Sequence, residues 1–311
     1  MVEKGRPAPE FEGIIAWINS PPLTMQDLNG KAILIDFWTY TCINCLRTLP
    51  YLKKWHRKYA KKGLVIVGVY SPEFSFEKDP ANVTEAVRSL GIRYPVAVDS
   101  NMETWTTFGN HYWPAKYLID KTGCLVYSHF GEGGYEMTER AIQKALGIEI
   151  PTERERPAVY LFDQSPETYA GFSKNFGLGS GLVCDRSGCN VYVDPGEHEP
   201  NVIYPHGQWV QEREFLELKK APGMISYRFN AREVNVVMGP AAAADDKRIK
   251  ERTKAGRTTV KADIFVDDKK IGQVDVDRPV MYTIFRNKKY GDRELTIVFN
   301  GPVRVYAFTF G

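Results

Sequence analysis

The sequence has no long hydrophobic run. Its longest apolar stretches, such as residues 64–70, fall far short of the roughly 20 residues that cross a bilayer as a helix, so we expect no transmembrane segment. Residues 1–7 also lack the apolar core of a secretory signal. The missing signal favours a cytoplasmic location, whereas a leader or membrane domain preceding these residues would make the location extracytoplasmic.

The chain also has little net charge. The 311 residues include 41 Lys and Arg and 38 Asp and Glu, which gives a formal net charge of +3. Such a nearly equal number of basic and acidic residues does not predict nucleic acid or an anionic membrane as a partner. Hydrophobic residues make up 43% of the chain, which is typical of folded globular proteins, and the length predicts two domains.

Cysteine and histidine are few. Five cysteines in a chain of this length exclude a disulfide-dense scaffold. The histidines have no metal-ligand spacing, and no second Cys-x-x-Cys pair accompanies Cys42 and Cys45 to complete a zinc site. We therefore expect no metal site and interpret each cysteine separately.

The first half of the chain alternates strand and helix patterns. Apolar runs predict buried strands, and residues recurring at three- and four-residue steps predict helices. This βαβ order, followed by a hairpin and a helix, predicts an α/β domain over residues 1–147 with a mostly parallel sheet. The predicted strands are 32–38, 64–70, 94–98, 115–119 and 125–130, and the predicted helices begin at 42, 79, 101 and 137.

In the second half of the chain, apolar residues recur at every second position, which is typical of strands. Residues 148–157 are charged and contain two prolines, which is typical of a linker. Beyond them we predict an all-β domain over residues 158–311, a sandwich or jelly roll, with one helix at 212–219. Its predicted strands are 233–238, 261–266, 271–276, 281–285, 295–299 and 303–310, and residues 241–244 are predicted to form a loop.

The chemistry-bearing motif is Cys42-Ile43-Asn44-Cys45, between a buried strand and a helix. The unpaired N–H groups and the dipole at a helix N-terminus favour the thiolate of Cys42. Cys45 lies one turn further in and is close enough to form a disulfide. This arrangement makes Cys42 the attacking thiolate and Cys45 the resolving thiol in thiol–disulfide exchange.

The sequence here resembles thioredoxins, because Asp36-Phe37-Trp38 and three further residues precede the cysteine pair. The resemblance implies a thioredoxin-like fold and a role for Asp36 as the buried carboxylate that handles the proton of Cys45. It also implies that Trp113-Pro114 is the family's cis-proline site, facing the disulfide and a substrate strand. Trp38 and Tyr40 are expected to contribute to the same substrate-binding surface.

Other features are similar to TlpA-like redoxins. The segment 71–77 follows a central strand, and in some relatives a carboxylate at this place tunes the cysteine pair, which implies that role for Glu73. Residues 37–48, 71–74 and 307–311 resemble the soluble C-terminal region of DipZ-type thiol:disulfide interchange proteins. Those proteins join a thioredoxin-like domain to a β-sandwich resembling carbohydrate-binding modules.

This resemblance implies a thiol:disulfide oxidoreductase whose only redox group is the Cys42–Cys45 disulfide, without a separate cofactor. Its partners are expected to be protein thiols and disulfides, and carbohydrate is an alternative ligand of the β-sandwich. DipZ-type proteins often receive electrons from a membrane domain that this sequence does not contain, so the electron donor or acceptor stays open. The sequence also leaves the oxidising or reducing direction open.

Two other functions remain as alternatives. A peroxiredoxin has Thr three residues before its cysteine, as Thr39 is here, but it also has Pro seven residues before, where this chain has Ile35. A binding or adaptor protein would use its β-sandwich and keep a vestigial redox domain.

The three remaining cysteines have other expected roles. Cys184 and Cys189 flank a turn-like tetrapeptide and are candidates for a structural disulfide. Cys124 is expected to be a small buried hydrophobic residue.

Overall fold

The computed structural model describes residues 4–152, 164–175, 177–185, 188–241 and 259–311. The chain divides into two compact units, Met1–Val159 and Tyr160–Gly311. The predicted linker 148–157 lies outside the described residues from position 153 onward, and the predicted loop 241–244 does so from position 242. None of the helices in the described ranges is long and apolar enough to span a membrane.

The first unit contains six strands and four α-helices in its described part. Each predicted element is present, with ends that move by a few residues, and a short strand precedes them. The strands are β1 (Ala16–Ile18), β2 (Ala32–Trp38), β3 (Leu64–Tyr70), β4 (Val96–Val98), β5 (Ala115–Ile119) and β6 (Leu125–Phe130). The helices are α1 (Ile43–Tyr59), α2 (Pro80–Ser89), α3 (Glu103–Thr107) and α4 (Tyr135–Leu146).

The strand order in this sheet is β1-β4-β3-β2-β5-β6. Only the β2–β3 and β3–β4 pairs are parallel, so the prediction of a mostly parallel sheet is wrong. The N-terminal strand β1 runs antiparallel to β4, and β5 lies antiparallel to β2 and continues into the β5–β6 hairpin. Two crossover connections, through α1 and α2, join the parallel strands β2, β3 and β4. The N-terminal strand and the β5–β6 hairpin supply the antiparallel pairs.

Residues of β2 alternate between two faces of this sheet, as the pleat requires. Asp36 and Trp38 lie on one face, together with Lys116, the register partner of Asp36 on β5. The Nζ atom of Lys116 lies 5.7 Å from the ring centroid of Tyr135 on α4. That ring stacks on Tyr51 of α1, so Asp36 faces the layer formed by α1 and α4. The opposite face of β2 contributes Ile33, Ile35 and Phe37 to a core shared with Trp105 and Phe108.

Helix α1 begins directly after the cysteine-containing turn. It continues through Pro50 to Tyr59, as the residue pattern predicts. Its buried face consists of Cys45, Thr48, Leu49, Leu52, Trp55 and Tyr59, which recur at three- and four-residue steps.

The second unit is all-β in its described part, where eleven strands form one antiparallel sheet. Strand β11 is long enough to belong to two layers, because its start pairs with β17 and its end pairs with β16. The strands are β7 (Thr168–Tyr169), β8 (Gly181–Asp185), β9 (Gly188–Val193), β10 (Ile203–Gln211), β11 (Leu216–Asn230) and β12 (Glu233–Pro240). They continue with β13 (Val260–Val266), β14 (Lys269–Val276), β15 (Val280–Arg286), β16 (Asp292–Phe299) and β17 (Val303–Phe310).

The two layers of this unit face each other across one apolar core. Tyr227 of β11 stacks on Phe308 of β17, with ring centroids 5.1 Å apart and planes inclined by 9°. Alternate residues of the strands supply this core, for example Leu295, Ile297 and Phe299 on β16. This arrangement is a β-sandwich.

The predicted helix over residues 212–219 is wrong. The N–H of Glu212 donates to the carbonyl of Phe215 at 2.8 Å, which closes a turn, and β11 begins at Leu216. Leu216 and Leu218 are both fully buried on one side of that strand. Residues two positions apart lie on the same face of a strand, so burial of both leucines favours a strand over a helix.

Several aromatic residues of the second unit lie inside this sandwich. Tyr204, Trp209 and Tyr227 are buried, and Tyr282 packs against the core. Rings in these positions stabilise the fold and do not form an exposed stacking platform.

Candidate active site

The cysteine pair lies where β2 leads into α1. Cys42 is the N-cap of the helix, with extended backbone angles, and its Sγ accepts a hydrogen bond from the N–H of Cys45 at 3.2 Å. Both thiols are free, Cys42 is 9% exposed and Cys45 is 1% exposed. The more exposed sulfur therefore occupies the N-cap position, where the helix N–H groups stabilise an anion.

The buried position of Cys45 controls its protonation. Burial raises the pKa of the Cys45 thiol well above its usual range, and the hydrogen bond and charge of Cys42 raise it further. A hydrogen bond from the backbone of Thr39 acts in the opposite direction and lowers this pKa. Cys45 thus keeps its proton unless a neighbouring base removes it.

Asp36 is the acidic group whose charge acts on this thiol. It is 1% exposed, and burial raises the pKa of its carboxyl to about 7, although the charge of Lys116 lowers it. The charge of Asp36 in turn contributes to the raised pKa of Cys45. Within the described residues the Oδ1 atom of Asp36 has no hydrogen-bond partner, so it is available to accept a proton.

Two aromatic side chains complete the surroundings of Asp36. Tyr94 is fully buried, and the charges of Asp36 and Cys45 both raise the pKa of its hydroxyl after the larger effect of burial. A Cβ atom added at Gly68 would lie 3.0 Å from Nε1 of Trp38 and 3.2 Å from Cε2 of Tyr94. Glycine at this position therefore lets both rings approach the strand beside Asp36.

Trp38 and Tyr40 were predicted to contact substrate. Trp38 is fully buried and Tyr40 is 7% exposed, so their side chains point inward. Tyr40 stacks on Tyr70 with ring centroids 5.7 Å apart. The structure gives these two rings a packing role behind the turn that contains Cys42.

Trp113 and Pro114 lie at the same edge of the sheet as the cysteine turn. The register pairs Ala115 with Phe37, so the two residues before Ala115 lie beside those that follow Phe37. The Trp113–Pro114 peptide bond is cis. The Nε1 atom of Trp113 donates to the carbonyl of Ser71 at 3.0 Å, and its partly exposed ring packs on Trp105.

The buried carboxylate next to the cysteine turn is Glu77, which the sequence analysis missed. Glu77 is fully buried and accepts hydrogen bonds from the hydroxyls of Thr39 at 2.5 Å and Thr41 at 2.6 Å. Glu73, the predicted residue, is half-buried and donates its backbone N–H to Glu77 at 2.7 Å. Glu77 is the third residue of a short helical turn and accepts from the backbone N–H of the N-cap, but that N-cap is Phe74 and not the Ser or Thr of the capping-box pattern, so the sequence carries no local signal for Glu77.

Burial also acts on the protonation of Glu77. It raises the pKa of this carboxyl to about 7, although the hydrogen bonds from Thr39, Thr41 and the backbone of Phe74 lower it. The carboxylate form can use all of these donors, because an ionised carboxyl only accepts hydrogen bonds.

Comparison with known proteins decides the family. Thiol-disulfide oxidoreductase YkuV of Bacillus subtilis is 33% identical over 141 residues, which cover 45% of this chain and 95% of that protein. This chain belongs to the thiol-disulfide oxidoreductase family. The Redoxin family model matches residues 3–146, and the model described as thioredoxin like C-terminal domain matches residues 165–311.

A longer alignment relates this chain to DipZ. Protein DipZ of Mycobacterium bovis is 37% identical over 243 residues, which cover 75% of this chain and 35% of that protein. The chain therefore spans about a third of the length of that relative. A solution structure of a thioredoxin-like protein in the oxidised form is 34% identical, covers 46% of this chain and 97% of its own, and has a TM-score of 0.43.

The other cysteines lie away from this pair in sequence. Cys184 is disulfide-bonded, and Cys189 is its register partner in the β8–β9 hairpin, although the side chain of Cys189 lies outside the described residues. Cys124 is a half-buried free thiol next to β6. Among the described residues, no group of three or more His, Cys, Asp or Glu side chains is arranged to hold a metal ion.

Proposed function

We propose that Cys42 and Cys45 exchange protein disulfides through a reversible disulfide between them. The observation that carries this proposal is the N-cap geometry, in which the N–H of Cys45 points at the Sγ of Cys42 across 3.2 Å. The same N–H stabilises negative charge on the sulfur of Cys42. Cys45 lies one helical turn further along, so its sulfur can attack Cys42 in the second step.

In the reducing direction, the thiolate of Cys42 attacks one sulfur of a substrate disulfide. A mixed disulfide forms between Cys42 and that sulfur, and the other substrate sulfur leaves as a thiolate. Cys45 then attacks Cys42, the Cys42–Cys45 disulfide forms, and the second substrate thiolate leaves. Two electrons pass from the cysteine pair to the substrate, which takes up two protons.

Asp36 supplies the base for the second step. Cys45 holds its proton because burial raises its pKa, so attack by Cys45 requires a proton acceptor inside the fold. The pKa of Asp36 at about 7 matches that task at neutral pH, because an acceptor with a very low pKa would not take the proton. The proton later leaves to solvent when the substrate thiolates are released.

A peroxidase activity is less well supported by the surroundings of Cys42. The hydroxyl of Thr39, the residue shared with peroxiredoxin patterns, donates to Glu77 inside the protein. It is therefore engaged away from the helix N-terminus where a peroxide would bind.

Reduction of insulin disulfides by dithiothreitol tests the proposal. We expect Cys42→Ser to lower the catalysed rate to the background of dithiothreitol alone. Cys124→Ser is the matched control, because it removes a free thiol outside the pair, and it is expected to keep the wild-type rate. Equal rates for wild type and Cys42→Ser would overturn the proposal.

A further inference from the structure

The carboxylate of Glu77 has four hydrogen-bond donors and no exposed surface. Its Oε1 atom accepts from the hydroxyls of Thr39 and Thr41 at 2.5 and 2.6 Å. Its Oε2 atom accepts from the backbone N–H groups of Glu73 and Phe74 at 2.7 and 3.0 Å. Four donors match the acceptor capacity of one ionised carboxyl group.

These donors come from two places in the chain. Glu73 and Phe74 belong to the segment that follows β3, whereas Thr39 and Thr41 form the turn between β2 and Cys42. Glu77 therefore connects the segment that follows β3 to the cysteine turn that follows the neighbouring strand β2. Thr41 is the residue immediately before Cys42, so its position determines where the N-cap lies.

The same turn also reaches the second cysteine. A hydrogen bond from the backbone of Thr39 lowers the pKa of Cys45 and thus favours its thiolate. The side chain of Thr39 is held by Glu77 at 2.5 Å. A change at Glu77 would move both the N-cap sulfur and the backbone group that stabilises its partner.

The chemical nature of Glu77 needs an explanation beyond stability. Burying a carboxylate destabilises a fold unless hydrogen bonds replace the lost water, and apolar side chains of similar volume often stabilise a fold as well or better. A carboxylate does have one property that an apolar residue lacks, which is to fix several donors in one geometry. Here two of those donors are in the redox turn.

We propose that Glu77 is a positioning residue of the active site, which holds the turn Thr39–Thr41 so that the Cys42–Cys45 pair keeps its redox equilibrium. This inference rests on the proposed function, because it assigns Glu77 to the same cysteine pair. Glu77 acts through Thr39 and Thr41 and contacts no reacting atom.

The proposal distinguishes the hydrogen bonds of Glu77 from its charge. In Glu77→Gln, the amide oxygen can accept from the two backbone N–H groups, and the amide nitrogen can donate to the hydroxyl oxygens of Thr39 and Thr41. Glutamine thus keeps the turn in place without a charge. In Glu77→Ala the turn loses its anchor. Thr39→Val keeps the side-chain volume but removes the hydroxyl that donates to Glu77 at 2.5 Å and to Tyr70 at 3.4 Å.

Two measurements on the full chain test this role. The first is the equilibrium constant for oxidation of the pair by glutathione, and the second is the pH profile of Cys42 alkylation by iodoacetamide. We expect Glu77→Ala and Thr39→Val to shift the equilibrium constant at least tenfold, which is about 30 mV for a two-electron couple. We expect Glu77→Gln to stay within threefold of the wild type.

The matched control is Thr138→Val on α4. The Thr138 hydroxyl is buried and donates to the carbonyl of Gly134 at 2.9 Å, so this variant removes a comparable hydrogen bond elsewhere. It is expected to lower stability without changing the equilibrium constant or the alkylation profile. A shift in Thr138→Val as large as that in Thr39→Val would show a general effect of destabilisation and would overturn the proposal.

The remaining outcomes also decide the question. Folded Glu77→Ala and Thr39→Val proteins with wild-type equilibrium constants and alkylation profiles would overturn the role of Glu77. If Glu77→Ala does not fold, Thr39→Val and Thr41→Val decide, since each removes only one hydroxyl group. A wild-type protein that forms no Cys42–Cys45 disulfide in any glutathione buffer would instead refute the proposed function, before the variants are compared.

Discussion

Asp36 and Lys116 lie opposite each other in the antiparallel register of β2 and β5, and both are almost completely buried. Each is the only charged residue of its strand. The charge of Lys116 lowers the pKa of Asp36, against the larger effect of burial that raises it to about 7. Burial and the charge of Lys116 together therefore place the pKa of Asp36, the proposed proton acceptor, near neutrality.

The first prediction concerns Lys116→Met, which keeps the length of the side chain and removes its charge. The pKa of Asp36 should rise further, because only burial then acts on it. The acid limb of the pH profile for resolution by Cys45 should move to higher pH. Below the pKa each unit of this shift lowers the ionised fraction of Asp36 about tenfold.

Stopped-flow measurement of mixed-disulfide decay between pH 5.5 and 9 would record this limb. Lys121→Met is the control, because Lys121 donates to the carbonyl of Leu146 and lies at the other end of β5. It should leave the profile unchanged. An unmoved limb in Lys116→Met would contradict the pairing.

The second prediction concerns the stability of Asp36→Asn. The unfolded chain releases the proton of Asp36 near pH 3.8, whereas the fold keeps it up to about pH 7. A raised acidic pKa means that wild-type stability falls as the pH rises through this window. Asp36→Asn has no carboxyl to titrate and does not lose this stability. Relative to the wild type, its free energy of unfolding should therefore rise by up to roughly 4 kcal/mol between pH 4 and 8.

Urea unfolding of the reduced protein at several pH values would measure this difference. Asp120→Asn provides the control. Burial acts against the charge of Asp120, but hydrogen bonds from Thr122 and Cys124 prevail and lower its pKa below 3.8. This carboxyl therefore titrates below the window, so the stability difference between Asp120→Asn and the wild type should stay nearly constant from pH 5 to 8. A rise of the same size in both variants would argue against the assignment.

The third prediction concerns His198 in the β-sandwich. Its ring nitrogens lie 2.7 Å from Asp194 and 2.7 Å from Glu294. Burial acts to lower the pKa of His198, but the hydrogen bonds and charges of these two carboxylates outweigh it and raise the pKa above 6.5. When it is protonated, the imidazole can donate one N–H to each of these carboxylates, which the neutral ring cannot do.

A raised histidine pKa contributes stability that is complete below pH 6.5 and is lost as the pH rises through the folded pKa. His198→Gln should lower the free energy of unfolding more at pH 5.5 than at pH 8.5, by a difference of about 1 kcal/mol. Thermal unfolding at both pH values would measure this, with His111→Gln as the exposed-histidine control. An equal cost at both pH values would show that His198 is not charged in the bridge.

Much of the first unit could be predicted because its strands are short uninterrupted apolar runs. The bounds of β2 and β3 follow from sequence for this reason, and so does the position of Cys42 at the helix start. The Asp36–Lys116 pair also left a signal, namely one charge inside each of two apolar strands. That signal becomes specific only when the β2–β5 register is known.

Other parts of the molecule depend on contacts that the local pattern does not contain. The carboxyl of Glu77 turns inward because the hydroxyls of Thr39 and Thr41, which are distant in sequence, donate to it together with two backbone N–H groups of its own segment. In the second unit, β11 was missed because residues 212–219 fit both a helical and an alternating pattern. Pairing of Leu216 with Val305 on β17 decides in favour of the strand.

The central claim is that Cys42 forms the bond to substrate and Cys45 breaks it. The most direct measurement is to incubate reduced Cys45→Ser with an excess of a disulfide-containing polypeptide and to map the linked peptides by mass spectrometry. The account predicts one stable mixed disulfide at Cys42, and none when Cys42→Ser is treated in the same way. Linkage at Cys124, or no linkage in the Cys45→Ser protein, would contradict it.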